Sequence, residues 1–382
     1  MKVLIYSGAH FSDNTLPLYK AMKAKGIDVT LLYELSVPNA NLFNEKKMIP
    51  YLGIIKATEY PSFRRYEKYC NLDDVYVENL PGVRRRDIKM LYSARLVDKF
   101  IKEHNFDIIH TDITIMMWKS YLFKYRKKMV LIQHEPIPHA RKMKPSVRFF
   151  RILNYRLIPK IVILNNTVLG QFCDRYNIKK DRVLVNKLGP LDCITVFGSN
   201  GNEKPSLNKI VFWGRITRYK GVEYLCQAMP LVHKKIPDAE LVIAGGGDFY
   251  FDIEPFKKLP YIHIINQYLD MEDLAKTIDD CAFTVCPYVS SSQSGGVITS
   301  LVMGKPVIGT TLDTMKEMIE DGVTGLLVPP RDVESLAATI VRLLNDVDLQ
   351  KKLKNTIRQK IDAEGEWSRI ADKYLAFYEK NV

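Results

Sequence analysis

Short runs rich in Val, Ile and Leu recur along this chain, and each is followed by a segment long enough to form a helix. Parallel neighbouring strands need such a crossover between them. The alternation therefore predicts a parallel α/β architecture with helices covering the sheet. In the first half, KVLIYS (2–7), IDVTLLY (27–33), FDIIHT (106–111), MVLIQ (129–133) and KIVIL (160–164) read as strands. Thr15 to Lys25 reads as a helix stopped by Gly26, where positive φ costs glycine little. From about 40 to 88 the rhythm fades into basic and aromatic residues, which suggests an inserted loop region.

A second series begins at KIVFWG (209–214) and continues through AELVIAGGG (239–247), YIHIIN (261–266), CAFTVCP (281–287), KPVIGT (305–310) and GLLVPP (325–330). Between the two series, residues 186 to 208 are rich in Gly, Pro, Ser and Asn and read as an interdomain linker. A length of 382 residues also exceeds what one core usually serves. The expectation is two doubly wound, Rossmann-like domains, 1–190 and 205–365. The closing EWSRIADKYLAFYEK (366–380) reads as an amphipathic helix with Trp367, Ile370, Tyr374 and Phe377 on one face.

No run of about 18 apolar residues occurs, so no helical span of a bilayer is expected. The first residues read better as a strand than as a signal peptide. Six scattered cysteines show no metal spacing and suit buried thiols in a reducing, cytoplasmic setting. The net charge of +13 admits nucleic acid, an anionic membrane surface or a phosphorylated substrate as partner.

Two segments carry the chemistry. WGRITRYKG (213–221) runs from a strand into Gly214, with Arg215 and Lys220 five apart at the strand's carboxyl end, the edge where open α/β sheets bind ligands. Two cations there suit a diphosphate, although a solvated loop opening a helix accounts for them too. SSQSGGVITSLVMGKPVIGT (291–310) sets Ser294, Gly295 and Gly296 before a helical stretch; free amides at a helix start attract anions, and a tightly packed loop is the alternative.

Together with IEDGVTGLLVPPRDVESLAATIVRLL (319–344), these segments resemble the retaining glycosyltransferases of family 4, which have the GT-B fold of two domains facing across a cleft. QHEPIPH (133–139) is similar to a segment of one branch, and the last helix matches the family's habit of crossing back onto the first domain. The resemblance implies an acceptor-binding N-terminal domain and a donor-binding C-terminal one. It implies that Arg215 and Lys220 bind the donor diphosphate and stabilise the departing nucleotide, with Ser294, Gly295 and Gly296 on the same phosphates. By the same resemblance His134 touches the transferred sugar and Gly8 lines the cleft floor. Gly214, Ala244 to Gly247 (with Gly245 and Gly246), and the segment from Asn266 through Gln267 to Tyr268 lie about the nucleoside. Two family glutamates are replaced by Ser291 and Thr299, with Gln293 and Thr299 as neutral substitutes, and a usual glycine pair is Asp313-Thr314.

Retention of configuration is implied, with no metal or other cofactor, the cations standing in for one. RKMKPSVRFFRILNYRLIPK (141–160) carries seven Lys or Arg and no acid among apolar residues, which suits an anionic lipid surface as well as a solvated helix. No nucleic-acid module is recognisable. The expectation is a cytoplasmic, peripheral hexosyltransferase moving sugar from a nucleoside-diphosphate sugar to a glycan or lipid-linked saccharide in surface polysaccharide biosynthesis. The other reading is a non-catalytic sugar-nucleotide-binding or scaffold subunit of a glycan-assembly complex.

Overall fold

The computed structural model describes residues 1–36, 47–84, 87–137, 144–198, 206–290 and 294–380. The chain divides into two compact units, Met1–Gly189 with Glu364–Val382, and Pro190–Ala363. Each has its own sheet.

The first unit holds β1 (Lys2–Gly8), β2 (Asp28–Leu35), β3 (Gly53–Lys56), β4 (Val75–Asn79), β5 (Ile108–Thr111), β6 (Met129–Gln133), β7 (Lys160–Ile163) and β8 (Val183–Val185). Their order is β3-β4-β2-β1-β5-β6-β7-β8, with β3 antiparallel to β4 and every other pairing parallel. The central strands are mostly apolar because helices bury both faces; Val3, Leu4 and Ile5 of β1 are fully buried. The helix Ser12–Ala24 ends as its glycine requires. Gly26 adopts a φ of 74°, and the amides of Gly26 and Ile27 fold back to the carbonyls of Lys23 and Met22, a Schellman closure.

The second unit holds β9 (Lys209–Trp213), β10 (Glu240–Ala244), β11 (Ile262–Ile265), β12 (Phe283–Val285), β13 (Val307–Thr310) and β14 (Gly325–Val328). All are parallel, in the order β11-β10-β9-β12-β13-β14. That is the 3-2-1-4-5-6 winding of a dinucleotide-binding fold, with its reversal point between β9 and β12. In the first unit the order reverses between β1 and β5.

Two sequence expectations are corrected, and strands β3, β4 and β8 were not read. The stretch 40–88 is not merely a loop, since β3 and β4 lie within it as the sheet's edge. The polar end of β4 hid it: Glu78 and Asn79 are fully buried, Glu78 by an ion pair and Asn79 by hydrogen bonds from the Tyr60 hydroxyl and to the Ile49 carbonyl. Strand β8, short and half-buried, carries no alternation. The linker is also shorter than composition suggests. Asn186 bonds the Ile370 carbonyl, a Cβ on Gly189 would collide with the Trp367 ring, and Cys193 and Ile194 are fully buried in the second unit.

The last helix, Ala363–Glu379, returns to the first unit. Trp367, Ile370, Tyr374 and Phe377 are buried along it as the pattern predicts, joined by Tyr378, which hydrogen-bonds His110 of β5. Lys160 caps its end at the Tyr378 carbonyl, 2.7 Å away.

Candidate functional site

In the second unit, the loops leaving the carboxyl ends of the strands are shaped by glycines. Gly214, Gly221, Gly245 and Gly247 all have φ between 66° and 152°, a region side chains rarely enter. Space demands them as well. A Cβ on Gly245 would meet the Gly214 carbonyl oxygen, one on Gly221 the Pro287 carbonyl oxygen, and one on Gly214 would stand 2.6 Å from Lys220 Nζ.

Lys220 is therefore folded inward over Gly214. Its Nζ lies 5.9 Å from the Phe212 ring centre and 5.4 Å from that of Tyr288. Burial lowers its pKa, opposed by Cys286 and aided by the neighbouring charge of Arg215. Arg215 itself is exposed. The half-buried Lys220 ammonium with its aromatic neighbours has no carboxylate partner among the described residues, and a phosphate would supply the missing anion.

Tyr288 links this cation to the helix Gly295–Val302. Its hydroxyl accepts from Ser294 Oγ at 3.2 Å, and Ser294 in turn caps the helix by accepting from the Val297 amide at 3.2 Å. The amides of Gly295 and Gly296 stand in the first turn, where no intrahelical acceptor exists. A Cβ on Gly295 would meet nothing within 4 Å, whereas Gly296 is walled by the Tyr288 hydroxyl and the Trp213 ring. Lys220 and the amide-bearing turn thus meet on one aromatic side chain at the reversal point of the sheet.

The remaining sequence candidates fall around this edge. Gly246 lies against Gln267 and Tyr268, both exposed, and Asn266 accepts from the Gly247 amide at 3.1 Å. Thr299 sits inside the helix at 1% exposure, its hydroxyl shielded and without a hydrogen-bond partner, so the side chain faces packing rather than solvent. Gln293, Ser291 and His139 lie outside the described residues. Sequence reasoning missed Trp213 and Ser300. The indole Nε1 donates to Ser300 Oγ at 3.0 Å, and Ser300 donates to the Gly296 carbonyl at 2.9 Å. Trp213 was legible as the last residue of its strand, but its partner 87 positions on was not.

In the first unit, a cavity of about 290 Å³ opens at the carboxyl ends of β1, β5 and β6. Gly8 and His134 both line it. Gly8 is extended, and a Cβ there would require the exposed His10 ring to move. His134 stacks on Phe11, ring centres 3.7 Å apart and planes nearly parallel, and its Nε2 has no hydrogen-bond partner among the described residues. That nitrogen lies 3.8 Å from Asp112, a carboxylate the sequence reading passed over. Asp112 accepts from the Ser7 hydroxyl at 2.5 Å and the Gly8 amide at 2.9 Å. Its signal was available: an acid one residue beyond β5, at the second reversal point. Arg215 and Lys220 belong to one unit, and Gly8 and His134 to the other. Among the described residues, no group of three His, Cys, Asp or Glu is arranged to hold a metal ion.

Comparison with known proteins follows the same division. Residues 15–187 match the model of glycosyltransferase family 4, and residues 208–346 match that of glycosyl transferases group 1. An uncharacterised glycosyltransferase of Methanocaldococcus jannaschii is 25% identical over 57% of this chain and 59% of its own length. A phosphatidyl-myo-inositol mannosyltransferase of Mycobacterium leprae is 28% identical over 46% of this chain and 47% of its own. The Anabaena protein HepE, solved in complex with UDP-glucose, superposes with a TM-score of 0.61 at 15% identity, over 98% of this chain and all of that one. Two matches to models of this family, which together span most of the chain, settle the point: this chain belongs to glycosyltransferase family 4.

Proposed function

We propose that the chain is a retaining glycosyltransferase that moves a hexose from a nucleoside-diphosphate sugar to a hydroxyl of a glycan or lipid-linked saccharide, in surface polysaccharide biosynthesis. The observation that carries this reading is the meeting of Lys220 and the Gly295–Gly296 turn on Tyr288. A cation and free amides on one aromatic side chain suit a pyrophosphate.

Arg215 and Lys220 hold the diphosphate and offset the charge that grows on it as the glycosidic C–O bond breaks. The acceptor oxygen bonds to the anomeric carbon on the same face, and its proton passes to the departing phosphate. His134 and Gly8 meet the transferred sugar. Gly214, Gly245, Gly246, Gln267 and Tyr268 surround the nucleoside, with Ser291 and Thr299 where the family carries carboxylates and Gln293 as a neutral substitute. No metal takes part, since the two cations supply the positive charge. The HepE complex makes UDP-glucose the first donor to try.

The helix Pro145–Leu157 supports work at the inner membrane face. It buries only Asn154 and Tyr155, leaves Phe149 61% exposed and presents Arg148 and Arg156 at its surface. The mannosyltransferase relative, named for a phospholipid acceptor, supports the same reading.

Incubation with a panel of nucleotide sugars, with membrane extract as acceptor, tests the proposal through nucleotide release. Arg215→Ala or Lys220→Ala is expected to lower turnover by about 10² to 10³ with the fold intact. Nucleotide binding with no release from any donor would favour the scaffold reading instead.

A further inference from the structure

Besides Gly8 and His134, the cavity of the first unit is lined by Glu34, Met90, Met116 and Lys119, of which Met90 and Lys119 are buried and mark its inner end. Its volume, about 290 Å³, is at the small end for ligand sites and has room for one sugar ring rather than an oligosaccharide. The charges there are unequal. Lys119, with its side chain 4% exposed, donates to Glu34 at 2.5 Å, to both oxygens of fully buried Glu78 at 2.9 Å, and to the Tyr6 hydroxyl. Among the described residues, two acids therefore share one ammonium whose protons are already committed, and Asp112 adds a carboxylate at the Gly8 and His134 side of the cavity. Arg151, at the cavity wall, turns Nε to the Tyr155 hydroxyl and Nη2 to the carbonyls of Glu135 and Pro136.

A ligand carboxylate or phosphate brought to this end would lose its water and meet like charge. A hydroxyl or ammonium would instead donate to oxygens already in position. Met90 and Met116 offer apolar surface to the C–H face of a ring. We propose that the inner end receives an acceptor ring that is uncharged or carries an amino group, with Glu34 as its hydrogen-bond acceptor, and that it rejects rings bearing carboxylate or phosphate. The word acceptor rests on the transferase reading; the charge preference does not. Lys119 is the positioning residue, fixing the Glu34 carboxylate through a clamp shared with Glu78.

Saturation-transfer NMR on the full chain tests this, with neutral methyl glycosides of the gluco, manno and galacto series, glucosamine and glucuronate as probes. At least one neutral glycoside and glucosamine are expected to bind, with glucuronate at least about fivefold weaker. Glu34→Gln is expected to weaken glucosamine about tenfold and to leave UDP affinity, followed by calorimetry, unchanged. Glucuronate binding as well as the others, no probe binding, or glucosamine indifferent to Glu34→Gln would overturn the proposal. The comparison among probes on the unaltered chain stands even if the variant folds poorly. Sugar binding of the expected pattern without turnover of any nucleotide sugar would remove the transferase reading and leave the pocket standing.

Discussion

Trp213 and Ser300 act as a hinge pin for the helix start. The indole donates to the serine, the serine to the Gly296 carbonyl, and the ring stands against Gly296 together with the Tyr288 and Ser294 hydroxyls. Losing either partner should cost about 1 kcal/mol in the order of the turn, the net worth of a typical hydrogen bond. Trp213→Phe and Ser300→Ala should each weaken UDP binding several-fold, and the double variant little more than either alone, because both remove one interaction. Calorimetric titration checks this; additive losses would mean that the two side chains act separately. Trp213 is the only tryptophan of its unit, so its emission reports the turn directly.

At the scale of elements, the last helix rests on a buried histidine. Burial, with a smaller push from His134, lowers the His110 pKa to about 3, so the ring under Tyr374 and Tyr378 is neutral in the fold. The unfolded chain binds that proton near pH 6.5 and the folded one does not, so stability is present above that pH and is lost as pH falls from about 6.5 toward 3. At pH 5 the loss from this group is on the order of 2 kcal/mol. Thermal unfolding between pH 7 and 5 should record it, and His110→Gln should flatten the slope. A slope unchanged in that variant would assign the acid sensitivity to other groups. The same element was plain in the sequence, since its apolar face repeats at helical spacing, whereas its resting place on β5 follows only from the sheet order.

For the molecule as a whole, the charge of +13 and the exposed face of Pro145–Leu157 make one physical statement. Arginines beside an exposed Phe149 should bring the protein to anionic vesicles, with each cation near the surface worth about 1 kcal/mol. Co-sedimentation with phosphatidylglycerol vesicles should fall as salt rises, and Phe149→Asp with Arg148→Glu should abolish it. Equal binding to neutral vesicles would show that charge is not the attraction. Among the described residues, no helix is long and apolar enough to cross a membrane.

How much of this was legible depends on distance along the chain. Nearly all inner strands, the Gly26 stop, the glycines after β9 and β10 and the amphipathic last helix were readable, because periodicity and turn chemistry act within a few residues. Strand β4 escaped because Glu78 and Asn79 look like surface residues until Lys119, 41 positions away, and Tyr60 are brought to them. Asp112, joined to Ser7 across 105 positions, and Trp213, joined to Ser300 across 87, escaped for the same reason. Local pattern by itself determined the two wound sheets and the loops that would meet a ligand. Packing alone decided which polar groups are buried together, because a buried charge is tolerated only where the fold supplies its partner.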